Sequence, residues 1–353
     1  MNTTRNGDSF LFEDSQTDND LLRNKLDHIP SKLYKYRACN HYGFDMLENG
    51  YIWADLPESF LDPIDAKVKL RLKRELPDIE RWLNLHIGEL IYYMLPPKGM
   101  LNQKGNQKLG DYIEAQAYFT DENGRLDAKL VKRQMLVEMK RLPKEQKEAY
   151  EKLLLYFESE EFERVVIKYA TDVMNSIVNV FRSSKIIASL SSRNDNATMW
   201  ENYADKYTGF CVEYAVPSCD HISETHRKTL LNLFQVKYYK RIPGVNILPF
   251  VRHNFHKSLY GKEIDISDSV AQLYRQLIYK RYEYNFEEEW RIVLDEREPR
   301  KVDFPFASAV YAGFRISDDN LLKLQEICTG KGIPLYKQTM NSYASRIQYT
   351  FIE

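Results

Sequence analysis

From Pro30 onward the hydrophobic and polar positions fall into clear periods. Leu33-Tyr34-Lys35-Tyr36-Arg37 alternates as a half-buried strand does, and Phe44, Met46 and Leu47 then sit in a short helix that Gly50 can terminate. Tyr51-Ile52-Trp53-Ala54-Asp55 reads as a second strand, closed by Pro57 and the turn Phe60-Leu61-Asp62-Pro63. From Ile64 to near Phe181 charged residues alternate with Leu, Ile, Val and Met at helical spacing, as in Leu130-Val131, Met135-Leu136 and Met139. Beyond that the runs at 185–190, 209–214, 234–238, 291–294, 309–312 and 335–339 are strand-like. Two helices interrupt them, one over roughly Ser269 to Tyr282 and one from a Ser317 N-cap to near Gly330.

These elements predict an α+β fold with a mainly antiparallel sheet. Residues 30–63 plus 181–353 form its core domain, residues 64–180 a large helical insertion, and residues 1–29, rich in Asn, Asp, Ser and Thr, a flexible N-terminal arm. A chain of 353 residues with 43% hydrophobic and 13% aromatic content has ample material for a core. Fifty basic against 51 acidic side chains leave a net charge of -1, so no global field attracts nucleic acid or an anionic membrane. The four cysteines show no zinc-ligand spacing and read as reduced thiols. No secretory leader or membrane-length apolar run is visible, so the expected location is cytoplasmic, with no membrane partner.

The candidate chemistry lies at strand ends and short connections, where functional side chains are commonly displayed. Glu287-Glu288-Glu289 sits among aromatics and runs into Trp290-Arg291 and an apolar tract. Like-charged carboxylates this close repel unless an arginine, a metal or a ligand offsets them. In an extended segment Glu287 and Glu289 point to one side and Glu288 away. Such a pair suits acid/base work or stabilisation of positive charge, and equally a divalent cation shared with Asp62. Arg37 offers a planar fork for phosphate or carboxylate, or pairs with a glutamate inside the fold. Trp200 and Tyr203 suit stacking on a ligand ring, or core packing; Asp62 suits a turn. No Walker loop, G-x-G-x-x-G or G-x-S-x-G motif is present, which closes the common nucleotide-fold and hydrolase routes.

Taken together, Tyr34-x-Tyr36-Arg37, Ser59-Phe60-x-Asp62-Pro63, Met199-Trp200-x-x-Tyr203, Gly209-Phe210-Cys211-Val212-Glu213, and Lys280 before Glu287-x-Glu289-Trp290-Arg291 resemble the bacterial family called domain of unknown function two-nine-seven-one. Some of its members are associated with abortive phage infection. Leu61 stands where that family usually has Asn, and Ala188-Ser189-Leu190-Ser191 replaces its more usual Cys-Phe-Ser run.

A further resemblance is to the R, S, E-x-E order of ADP-ribosyltransferases. It implies that fold, NAD as substrate, and a protein or nucleic-acid acceptor. Arg37 would hold the dinucleotide phosphate, Ser59 would support the nicotinamide pocket, and Trp200 or Tyr203 would stack on a ring. Glu289 would stabilise the oxocarbenium-like centre, and Glu287 would position or deprotonate the acceptor. The competing expectations are a metal-dependent phosphodiesterase or nuclease, and a noncatalytic sensor or interaction protein of a defence system. In the latter the helical insertion would bind a protein partner and Arg37 and the glutamates, with Arg291 nearby, would form an internal ion-pair network.

Overall fold

A computed structural model describes residues 18–60, 62, 64–71, 74–75, 77–79, 82, 144, 155, 160–218, 222–261, 263–339 and 347–352. The chain divides into two compact units, one of Met1–Lys69, Asn179–Gly244 and Val270–Glu353, the other of Leu70–Val178 and Val245–Ser269. Most of the expected helical insertion lies outside the described residues. Residues 245–269, assigned to the core domain from sequence, group instead with the second unit. Within that unit Leu70 bridges Val245, and Glu75 accepts a hydrogen bond from the Ile247 backbone at 2.6 Å, just ahead of the helix Leu248–Tyr260.

The first unit is built on an eight-stranded sheet in the order β12-β11-β10-β4-β1-β3-β8-β5. The strands are β1 (Lys32–Arg37), β3 (Ile186–Ser191), β4 (Phe210–Ala215), β5 (Leu233–Gln235), β8 (Glu289–Leu294), β10 (Ala307–Ala312), β11 (Leu335–Thr339) and β12 (Gln348–Ile352). All neighbours are antiparallel except β10 and β11. Two small pairs flank the sheet: β2 (Tyr51–Ala54) with β9 (Arg300–Asp303), and β6 (Lys237–Tyr239) with β7 (Tyr279–Arg281). The run expected as one strand over 234–238 is thus two strands in different sheets, broken at Val236, whose backbone N–H donates to Glu289 O.

The period-two alternation sorts the two faces of the sheet. Leu33, Ala188, Leu190, Phe210, Val212, Leu233, Trp290, Ile292, Val310 and Leu335 line one face and form the main core with Phe44, Met46 and Leu47 of α2 (His41–Asn49). Asn40 caps α2 by accepting from Gly43 N, and Gly50, at φ 67°, ends it in the left-handed conformation. Part of the stretch expected as a flexible arm is instead a helix, α1 (Asp18–Leu26), whose Leu22 is fully buried in this core; residues 1–17 lie outside the described residues.

The opposite face is polar and aromatic. It carries Tyr34, Tyr36, Ser191, Cys211, Glu213, Glu289, Arg291 and Tyr311, and the helix Ala197–Tyr203 packs part of it through Trp200. Glu213 is held there by Lys32 Nζ at 2.8 Å and by the hydroxyls of Tyr311 and Ser308 at 2.8 and 3.0 Å. After this helix Asp205, Lys206 and Tyr207 adopt φ of 47°, 54° and 69°, each a left-handed conformation that costs an L-residue about 1–2 kcal/mol. The turn is fixed where Gly209 and Gly313 allow backbone to close in. A Cβ on either would stand 2.1 Å from a carbonyl oxygen, of Arg37 and Tyr207 respectively. Cys39, Cys211 and Cys328 are free thiols, and no described helix is long and apolar enough to cross a membrane.

Candidate functional site: a buried charge network at the acid tract

The acid tract is not one extended segment. Tyr282–Glu287 forms a 3-10 turn, Glu288 takes φ 42°, and β8 starts only at Glu289. That left-handed residue reverses the backbone locally, so Glu287 and Glu289 converge by a helix-to-strand switch rather than by strand alternation. Lys280 on β7 meets both: its Nζ lies 2.5 Å from Glu287 Oε2, 3.0 Å from Glu289 Oε2 and 3.2 Å from Asp65 Oδ2. Arg291, two residues along β8, donates from Nε to Glu289 Oε1 at 2.8 Å and from Nη2 to both Asp65 oxygens at 2.7 and 2.8 Å. Its Nη1 donates to Leu277 O at 2.7 Å, and Phe60 faces the guanidinium at 5.7 Å. None of these five ionisable side chains is more than 8% exposed.

Neutral donors and acceptors complete the cluster. Tyr203 OH donates to Glu287 Oε1 at 2.9 Å, Ser191 Oγ to Glu287 O at 2.7 Å, and Glu289 N to Tyr238 OH at 2.8 Å. Three carboxylates face two cations, and the environment separates the acids. Burial alone would raise the Glu289 carboxyl, but Arg291 and then Lys280 outweigh it and hold the group well below the usual carboxylate range. Burial and then the Glu289 charge push Glu287 up, against the opposing pull of Lys280. For Lys280, burial is outweighed by Glu289, Asp65 and Glu287, which hold the ammonium protonated.

The structure brings together Glu287, Glu289, Arg291 and Tyr203 from the sequence-derived candidates. Glu288 lies outside, accepting from Ser192 Oγ at 2.7 Å and pairing with Arg193. Asp62 pairs with Arg281 Nη2 at 3.1 Å rather than with either glutamate. Three candidates fall elsewhere. Trp200 is fully buried, packs edge-on against Tyr36 and flat against Tyr207, and donates from Nε1 to Asn194 O, so it is core rather than a free stacking surface. Ser59 donates back to Leu56 O within its own exposed turn. Arg37 stands three residues from Tyr34, which pairs through Ser191 with the Glu289 position, so its side chain lies on the opposite face of the sheet and donates to Met46 Sδ.

Two members of the network, Asp65 and the central Lys280, were not among the candidates. Asp65 follows Asp62-Pro63-Ile64 directly, at the start of the stretch whose spacing predicts the helical insertion. Lys280 was visible only as part of the family resemblance. For a cation site the donor set is unsuitable, since the glutamates and Asp65 are already engaged by Lys280 and Arg291; among the described residues no group of three or more His, Cys, Asp or Glu side chains is arranged to hold a metal ion.

No curated protein and no solved structure matches this chain. Residues 199–292, the stretch that carries Trp200, Tyr203, Lys280, Glu287, Glu289 and Arg291, match the family described as Protein of unknown function (DUF2971), the family to which the sequence motifs pointed.

Proposed function

We propose that this chain is a noncatalytic sensor or interaction protein, and that its acid tract is the ion-paired polar core of the sheet's second face. The observation that carries this reading is closure. Asp65, Lys280, Glu287, Glu289 and Arg291 are all buried, and every one is engaged by an opposite charge within 3.2 Å. A carboxylate held by a guanidinium and an ammonium at that depth is already neutralised and is not poised to meet a developing positive charge on a substrate. The separation of Arg37 from Glu289 by the sheet also supports it, because gripping a dinucleotide would need both on one side. The association with a defence system comes from the family resemblance alone.

A second reading has one observation in its favour. Glu287 is the acid whose carboxyl is pushed up, and its partner Tyr203 is 42% exposed, so a proton-transfer role in an NAD-consuming reaction would fall to Glu287 and not to Glu289. Incubating the full chain with NAD and a cell lysate, and measuring nicotinamide release and transfer of labelled ADP-ribose, separates the two. The first reading expects no turnover. Turnover abolished by Glu287→Gln at unchanged melting temperature would overturn it in favour of the second.

A further inference from the structure

We propose that the edge where β6 and β7 end, together with residues 67–69, is a binding surface for single-stranded nucleic acid. This surface is separate from the acid tract, and its role does not depend on whether that tract is catalytic.

The surface follows from the parallel pairing of β6 with β7. Parallel strands end on the same side: Tyr239 lies opposite Arg281, so the chain leaves β6 as Lys240-Arg241 beside the point where it leaves β7 as Tyr282. Lys240 Nζ accordingly stands 6.0 Å from the centroid of the Tyr282 ring. The other paired positions serve a different end, since Tyr238 and Lys280 reach the acid tract. Residues 67–69 complete the edge. Val68 is buried while Lys67 and Lys69 are exposed, and Lys69 Nζ donates to the Ile242 carbonyl at 3.1 Å, one residue beyond Arg241.

Five cations, Lys67, Lys69, Lys240, Arg241 and Arg281, stand here against two acids, Asp62 and Glu283. Asp62 is held by Arg281 at 3.1 Å, and among the described residues Lys67, Lys69, Lys240 and Arg241 have no carboxylate partner. Elsewhere on the same unit exposed lysines sit against carboxylates: Lys32 with Glu213, Lys228 with Glu224 and Lys301 with Asp45. The whole chain is neutral to within one charge, so the excess is local, which is what a polyanion needs where no global field draws it.

The aromatic side chains decide which polyanion fits. Tyr282 is 48% exposed beside the Lys240 ammonium, and the half-buried Tyr284 ring lies 5.3 Å from the Arg281 guanidinium. An exposed ring next to an unpaired cation matches a nucleotide, whose base stacks on the ring while its phosphate meets the charge. A duplex keeps its base faces stacked inside and would meet the cations alone. An anionic membrane or an acidic peptide offers no base at all.

Fluorescence anisotropy of the full chain with a short labelled oligothymidylate or oligouridylate, over a series of salt concentrations, tests this. The expected result is saturable binding whose log affinity falls with log salt at a slope of about -3, from four unpaired cations at roughly -0.7 each on a single strand. Lys240→Ala combined with Arg241→Ala should flatten that slope to about -1.5. Tyr282→Ala should leave the slope unchanged and weaken binding about tenfold, Tyr282→Phe should bind as the unaltered chain does, and an abasic strand should bind both the unaltered chain and Tyr282→Ala equally weakly. All three substituted side chains are exposed, so an unchanged melting temperature is expected of each variant. Binding of neither oligonucleotide at low salt, a slope indifferent to the Lys240 and Arg241 substitutions, or a duplex of equal length bound as tightly as the strand overturns the proposal. Equal affinity of the unaltered chain for abasic and complete strands overturns it too, leaving a surface for polyanions in general.

Discussion

Neutralising Glu289 and neutralising Glu287 should have very different consequences, although the substitutions are chemically the same and the residues are two apart. Glu289→Gln removes the anion from between Arg291, at 2.8 Å, and Lys280, at 3.0 Å, where none of the three side chains is more than 7% exposed. It leaves two buried cations sharing Asp65 and Glu287. Breaking a buried pair from one side typically destabilises by about 3–5 kcal/mol, a large part of the roughly 5–15 kcal/mol that holds a domain together. Glu287→Gln removes the carboxylate that is in excess. Lys280 keeps Asp65 and Glu289, and the amide can still accept from Tyr203, so the expected loss is about 1 kcal/mol or less. Urea denaturation of both variants at neutral pH, followed by tryptophan fluorescence, measures the gap directly. The expected difference is at least about 2 kcal/mol, with Glu289→Gln the less stable. Equal losses, or a larger loss for Glu287→Gln, would refute the assignment of Glu289 as the pivot of the network.

Other outcomes follow from the same geometry. The stability supplied by Glu289, whose folded carboxyl lies below its unfolded value of about 4.3, is present above that value and lost as pH falls through the folded one; Glu287, raised on folding, acts in the opposite sense. The gap between wild type and Glu289→Gln should therefore be widest above about pH 5 and shrink on acidification, as a pH series of denaturation curves will report. Asp65→Asn, which takes the bidentate partner from Arg291 Nη2, should destabilise by about 3 kcal/mol, read as a lower urea midpoint. Trp200→Ala should cost about 3–5 kcal/mol through the cavity it opens beside Tyr36 and Tyr207, and a stable variant would mean the ring is not core. Gly209→Ala should lower the melting temperature sharply, since its Cβ would fall 2.1 Å from the Arg37 carbonyl oxygen.

Much of the sheet was legible because it rests on short-range signals. The alternation in β1, the Gly50 stop of α2 and the Ser317 cap of the helix Asp318–Lys331 are all decided within a few residues. The strands that escaped carry little local signal: β9 reads Arg300-Lys301-Val302-Asp303, with one apolar residue, β12 pairs with β11 alone at the sheet's edge, and β7 lies in the stretch expected as a helix over Ser269 to Tyr282, a helix that ends at Gln276. At the site, the convergence of Glu287 and Glu289 was anticipated but its cause was not, because a single left-handed glutamate leaves no trace in a polarity pattern. The opposite-face position of Arg37 was in principle readable from its odd spacing to Tyr34. What could not be read was that both Tyr34 and Glu289 lie level with Ser191, a register set by three strands distant in sequence. Asp65 lies 226 residues before its partner Arg291, and Lys280, only seven residues before Glu287, sits on a separate strand across a 3-10 turn, so no local period joins either to the tract.

The claim at the centre of this account is that the acid tract is closed and ion-paired, with Glu289 the permanently charged member and Glu287 the one that titrates. Carbon-13 NMR titration of selectively labelled glutamate carboxyls, assigned through Glu287→Gln and Glu289→Gln, measures this directly. The expected result is that Glu289 stays ionised well below the ordinary value of about 4.3 while Glu287 titrates above it. Two carboxyls titrating together near that ordinary value would describe an open, solvated pair and would contradict it.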